Sequence, residues 1–343
     1  MSEIVLETFE LGFQWPTIDP FLFCVHHDDN YPEGNVVFGP DPANFVGRDM
    51  GSDFAGIDGW RMYHGDTVPG FPQHPHRGFE TLTIVREGLC DHSDSLGAKA
   101  RFGSGDAQWI TAGKGIVHSE MFPMLRADAR NPLELFQIWV NLPARSKMVD
   151  PHFTMLWAAD QPLLNFADDD GLATKVTVVA GVLNGSVAPT PPPNSWASQE
   201  GSDISVLLIE LAPNATWTLP KALGAQTIRM AYFYEGSSVV VGGTKLSANT
   251  GARVRCDVET ELRAGDDGAS ILILQGTPIA EPVAQHGPFV MNTRAEIAQA
   301  FEDYQRTRFG GWPWPAGDPN HGADPARFAV YPNGSEERPL AVG

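Results

Sequence analysis

The stretch HPHRGFETLT, residues 74–83, sets His74 and His76 one residue apart at the start of a β-rich run. Successive side chains of a strand alternate faces, so the two imidazoles point the same way, with Cα atoms roughly 6.5–7 Å apart and one metal ion within reach of both. Downstream, TAGKGIVHSEM repeats the device with His118 and Glu120. Two strands that each turn two such groups inward can close one site of three imidazoles and one carboxylate, a singly anionic donor set suited to a divalent transition metal. A lone histidine on a strand is more often packed or solvated than metal-bound; two pairs at strand period are what turn the reading towards ligands. Held by four protein groups, a six-coordinate ion would keep two positions open, enough for a bidentate substrate or for substrate plus dioxygen. Imidazole and carboxylate suit iron, cobalt, nickel, manganese, copper and zinc, so donor type alone does not name the metal.

Other residues near these pairs are candidates of lower rank. Glu80, four residues beyond His76, is expected on the same strand face, where a carboxylate could orient a ligand or take a proton. Phe79, Trp109 and Phe122 offer flat apolar walls, or are ordinary core aromatics. His64 could line the mouth of the site. Cys24, His26 and His27 in FCVHHDDNYP read as packing residues, because His26 and His27 point opposite ways on a strand. His92 reads as a structural residue in a turn, and His152, His286 and His321 have no partner pattern. There is no Gly-x-x-x-x-Gly-Lys-Ser/Thr loop and no Gly-x-Ser-x-Gly elbow, so nucleotide-dependent and serine-hydrolase chemistry are set aside.

The elements that must position these groups are strands. Short β-rich runs punctuated by 35 glycines and 28 prolines predict an all-β chain. Strands are expected at 80–85, 108–111, 135–142, 175–182, 204–211, 230–234, 238–241 and 270–275. A weak internal repeat matches TIVREG to YFYEG and TAGKGIVHSE to RAGDDGASIL. Superposing these sets His74 and His76 opposite Ala222 and Gly224, His118 opposite Ser270 and Glu120 opposite Leu272, so the second copy is expected to lack ligands. The resulting partition is a metal-binding domain over 1–143, a connection over 144–170, a second domain over 171–285, and a helix with a Pro/Gly-rich tail over 286–343. The helix is signalled by the capping box Thr293-Arg-Ala-Glu296, by Ile297, Phe301 and Tyr304 at helical spacing, and by Gly310-Gly311 at its end.

Composition narrows the class. Hydrophobic residues make up 42% of the 343, as expected of a globular chain. The formal charge of −19, from 42 acidic and 23 basic side chains, disfavours direct contact with nucleic acid. With three dispersed cysteines, no secretory leader and no long apolar run, a cytoplasmic protein without a membrane span is expected.

The stretch from HPHRGFETLTIVREG through DHSDSLG to GDAQWITAGKGIVHSEM resembles the signature of the pirin family, within the cupin superfamily. FQIWVNLPARSKM and HGPFVMNTRAEI extend the likeness over about residues 15–310. The resemblance implies a bicupin of two face-to-face β-barrel domains, with one metal, most often iron, in the N-terminal barrel. Carried over by motif, its ligands are His74, His76, His118 and Glu120, the four that spacing selects. Generic cupins often use the glutamate at the position of Glu80; the pirin pattern uses Glu120, which leaves Glu80 beside the site. The activity implied is a dioxygenase acting on a flavonol of the quercetin type, with Glu120 or Glu80 taking the hydroxyl proton. The rival reading is a non-catalytic, redox-dependent regulatory protein acting through a protein partner, and a third is a cupin enzyme for another small aromatic or enol substrate. A monomer is expected for a chain that carries two barrels.

Overall fold

A computed structural model describes residues 3–340 of the chain. Contact density groups them into two compact units, each assembled from separated pieces. Of the described residues, one comprises 26–137, 144–159 and 281–340; the other 3–25, 138–143 and 160–280.

Sixteen strands carry the architecture. In chain order they are β1 (Phe21–Tyr31), β2 (Gly70–His76), β3 (Phe79–Glu87), β4 (Leu89–Asp94), β5 (Lys99–Gly103), β6 (Ala107–Thr111), β7 (Ile116–Met121) and β8 (Asn131–Asn141), then β9 (Ser205–Leu211), β10 (Thr216–Leu219), β11 (Ile228–Glu235), β12 (Ser238–Val241), β13 (Thr244–Ser247), β14 (Thr250–Val254), β15 (Thr260–Ala264) and β16 (Ala269–Gly276). The first eight pair as β6-β3-β8-β1 and β5-β4-β7-β2. The second eight pair as β14-β11-β16-β9 and β13-β12-β15-β10. Adding eight to each number converts one order into the other, so the chain carries one eight-stranded cupin barrel twice and is a bicupin.

That correspondence corrects the sequence superposition. The counterpart of β7 is β15, one strand before the strand that holds Ser270 and Leu272, while Ala222 and Gly224 fall in the loop after β10. Ala-Gly and Glu-Gly pairs mark barrel corners in general, so they align corners without specifying which corner. The rung His74↔His118 between β2 and β7 is replaced by Trp217↔Leu262 between β10 and β15. Trp217, Leu219, Leu262 and Ala264 fill the core of the second unit.

The linear partition also gives way to strand pairing. Val5–Glu10 pairs with β14. Within the expected connection, His152–Leu156 pairs with β6, and Leu163–Ala167 pairs with Ala173–Ala180, which in turn pairs with β9. Near the C-terminus Phe328–Val330 pairs with β5. Open sheet edges present unpaired N–H and C=O groups, and segments read as linkers or tails satisfy them. The helix forms as expected: α1 spans Arg294–Thr307, the Thr293 hydroxyl accepts from the Glu296 N–H at 3.2 Å, and the Glu296 carboxylate accepts from the Thr293 N–H at 2.7 Å. Its Ile297 and Ala300 pack with Phe289, Met291, Phe309 and Val117 of β7. No helix among the described residues is long and apolar enough to cross a membrane.

Between β2 and β3 the chain turns through Gly78 at φ +83°, where an added Cβ would lie 2.0 Å from the Val290 carbonyl oxygen. Gly78→Ala therefore combines a disfavoured backbone conformation with a collision against main chain. We expect a loss of about 2–4 kcal/mol, read as a lower urea midpoint; an unchanged midpoint would show that the turn relaxes freely.

Candidate metal centre

Strands β2 and β7 are neighbours, and their register places His74 opposite His118 and His76 opposite Ile116. One ring nitrogen from each of His74, His76 and His118 lies within 4.8 Å of the other two. Ring centroids are 4.4 Å apart for His74 and His118, and 4.8 Å for each pair involving His76. His76 and His118 are buried and His74 is half-buried. Glu120 is placed beside them by β7, one carboxylate oxygen 3.8 Å from Nε2 of His118. The structure thus gathers the three histidines, with Glu120 adjoining His118.

Two of the donors are held from behind. His74 donates from Nδ1 to the Pro72 carbonyl at 2.8 Å, which fixes the tautomer and leaves Nε2 as a lone pair. Thr83 Oγ1 lies 2.9 Å from the Glu120 carboxylate and 2.7 Å from the Gln137 side chain. A hydroxyl has one proton; it goes to the carboxylate, and the Gln137 amide must then present its NH2. Arg77, which comes after His76, donates to the Lys114 carbonyl at 2.7 Å and to Asp303 of α1 at 2.8 Å. Neither ring nitrogen of His118 has a hydrogen-bond partner among the described residues. Burial, and the other imidazoles, push His76 and His118 well below the ordinary histidine range and His74 to about 4. Neutral imidazoles with unused lone pairs are the form a metal requires. Burial raises the Glu120 carboxyl, opposed by the Thr83 hydroxyl and by His92. A cation at this point would stabilise its anion. The donor set therefore fits a divalent transition metal.

The remaining candidates separate. Glu80 is not brought to the imidazoles: Arg77 and Gly78 interrupt the strand, so His76 ends β2 whereas Glu80 belongs to β3. There it sits opposite Thr111, whose hydroxyl donates to it at 2.6 Å, on the face of β3 away from Thr83. Trp109, paired with Leu82, shares that far face. Phe79 keeps its place beside the site, its ring 5.0 Å from His76. The exposed His64 ring packs 5.8 Å from Phe71, and Phe71 lies 6.4 Å from His74. His26 and His27 do part across β1: the former reaches Glu134 at 3.0 Å, the latter Tyr63 at 2.7 Å.

Two neighbours escape the sequence reading. Phe71 faces the interior although it lies an odd three positions before His74, because a register shift in β2 sets Phe71 opposite Glu120. His92 lies on β4 rather than in a turn, opposite Glu120, with its ring 5.6 Å from His118 and Nε2 3.2 Å from Asp94. The alternation Cys90, His92, Asp94 is the available signal for it.

Comparison with known proteins gives a consistent picture. Residues 10–140 match the Pirin family model and residues 206–310 that of the pirin C-terminal cupin domain. A Pseudomonas aeruginosa protein provisionally named a quercetin 2,3-dioxygenase is 36% identical over 272 residues, 79% of this chain and 89% of that protein. A pirin-like protein of Caulobacter vibrioides is 38% identical over 71% of this chain and 82% of its own length. The crystal structure of a quercetin 2,3-dioxygenase from Acinetobacter baumannii superposes with a TM-score of 0.69 at 27% identity, covering 90% of this chain and 98% of that one.

This geometry makes two measurements decisive. His27, held at about 3, and His74, at about 4, stay neutral in the fold where the unfolded chain titrates near 6.5. The unfolded state then binds more protons as pH falls, so their contribution is complete above pH 6.5 and is lost towards pH 4. His76 and His118 add to this, and the raised carboxyls of Asp29, Asp106 and Glu120 oppose it. The metal-free melting temperature should fall across that window; a flat profile would contradict neutral imidazoles. Thr83→Val, which deprives Glu120 of its donor, should weaken metal binding by about 10–100-fold in a chelator competition, and equal affinity would remove Thr83 from the site.

Proposed function

The chain belongs to the pirin family, and on that premise we propose that it is a metal-dependent dioxygenase acting on a flavonol of the quercetin type. The observation that carries the reading is the cluster of three neutral imidazoles with His74 at its half-exposed edge. It is supported by the dioxygenase names of a relative at 36% identity and of a structural neighbour at 27%. His74, His76, His118 and Glu120 would hold the ion, for which iron is the first candidate.

When bound there, the metal would supply Lewis acidity to an enolic or phenolic oxygen and a template for dioxygen. The protein's own groups do the rest. Glu120, beside the imidazoles and aimed inward by the Thr83 hydroxyl, is the carboxylate placed to receive the substrate's hydroxyl proton. Phe71, stacked on Tyr63 at 5.0 Å and edge-on to Phe122 at 6.2 Å, gives a fixed aromatic surface beside His74 for a planar substrate. Phe79 backs His76 and keeps water from that side of the cluster.

The test is oxygen uptake and carbon monoxide release from quercetin by the iron-loaded protein. Turnover is expected in the parent and should drop to the protein-free background in His74→Ala. If the loaded parent gives no turnover above that variant, the activity is excluded and metal binding stands by itself.

A further inference from the structure

The chain continues past residue 310, where the C-terminal family match ends, and the segment beyond is laid against the strands of the candidate metal centre. In the sheet order β5-β4-β7-β2, the strand carrying His118 and Glu120 has β2 on one side and β4 on the other. The tail grips both. On β2, the backbone N–H of Gln73, the residue before His74, donates to the Gly317 carbonyl at 2.7 Å. On β4, the Trp314 indole donates to the Asp94 carbonyl at 2.8 Å, and the His321 ring donates from Nε2 to the His92 carbonyl at 2.8 Å. Those carbonyls belong to the residues paired with His118 and Glu120 across β4 and β7.

A buried ion pair anchors the same segment. Asp91 on β4 and Arg101 on β5 are fully buried and joined by two contacts of 2.7 and 2.6 Å. The tail completes their hydrogen bonding: the His321 N–H donates to Asp91 at 2.8 Å, and Arg101 donates to the carbonyls of Gly322, at 2.8 Å, and Asp324. A buried charge pair needs its remaining donors and acceptors satisfied, so these contacts fix where the tail can lie.

We propose that the segment Gly311–Arg327 is a strap that sets the spacing of β2 and β4 about β7, with Trp314 and His321 as positioning residues for metal binding. It touches the carbonyl or N–H next to a ligand, or across from one. Outer partners of this kind typically change metal affinity by about 10–100-fold when removed. The inference rests on His74, His76, His118 and Glu120 as ligands and is independent of the substrate.

Cobalt(II) serves as the probe, its affinity read by competition with a chromophoric chelator and its geometry by visible absorption. Trp314→Phe with His321→Ala in the full chain should keep the far-UV spectrum of the parent, bind cobalt about tenfold more weakly and shift its absorption bands. His321→Gln, which retains an N–H donor, should recover most of the loss. Truncation after residue 310 should do at least as much damage as the double variant. Affinity within about twofold of the parent, with unaltered bands, overturns the strap. A parent that binds no cobalt, nickel or iron overturns the ligand assignment, and the strap with it; a parent that binds metal without oxidising quercetin leaves the strap intact.

Discussion

The arrangement depends on withdrawing His76 and His118 fully and His74 partly from water, with one ring nitrogen of each within 4.8 Å of the other two. Water no longer stabilises a charge on them, so they remain neutral, and each nitrogen without a partner costs about 1–3 kcal/mol. A fold can hold such a cluster only where the backbone around it cannot relax. Strand pairing supplies most of that rigidity: His74 and His118 are opposite members of one rung, so their separation is set by the ladder rather than by flexible side chains. The Pro72 carbonyl, the Thr83 hydroxyl and the Arg77–Asp303 ion pair supply the remainder from behind.

The aromatic surface beside the cluster is fixed by a separate network. His27 contacts the Tyr63 hydroxyl, which donates to Asp29 at 2.5 Å, and Asp29 also receives Arg61 at 3.0 Å. Tyr63 is held at φ +57°, a conformation unusual for a bulky residue and maintained here by contacts on every side. Its ring stacks on Phe71, which in turn adjoins His74. A chain of satisfied polar groups thus terminates in an apolar face, which gives a planar ligand a rigid surface without placing a competing hydrogen-bond donor next to the imidazoles.

Much of this is legible in the residues. The period-two spacings of His74/His76 and His118/Glu120 depend on local strand geometry, and the capping box at Thr293–Glu296 is equally local; the structure gathers the three histidines, sets Glu120 beside His118, and forms the cap. Features that depend on breaks in regularity or on distant pairing are not. Spacing puts Glu80 on the face of His76 because nothing in HPHRGFE announces that the strand stops at Arg77 and Gly78. Phe71 is hidden because a bulge reverses the alternation upstream of His74. The segments around 152–156, 163–167 and 328–330 look like connections or tail because short edge strands draw their stability from the sheet they join rather than from their own pattern.

The repeated strand order sets two different fillings of one barrel side by side. One barrel gathers three buried or half-buried imidazoles, whereas its twin, with Trp217 and Leu262 on the corresponding rung, has the same interior position packed with hydrocarbon. A packed interior is what folding alone favours, and trading the Trp217 indole for an imidazole would open a void before any ligand is gained. The asymmetry between the two halves is therefore one of filling: the corresponding rung carries two imidazoles in one unit and an indole against a leucine in the other.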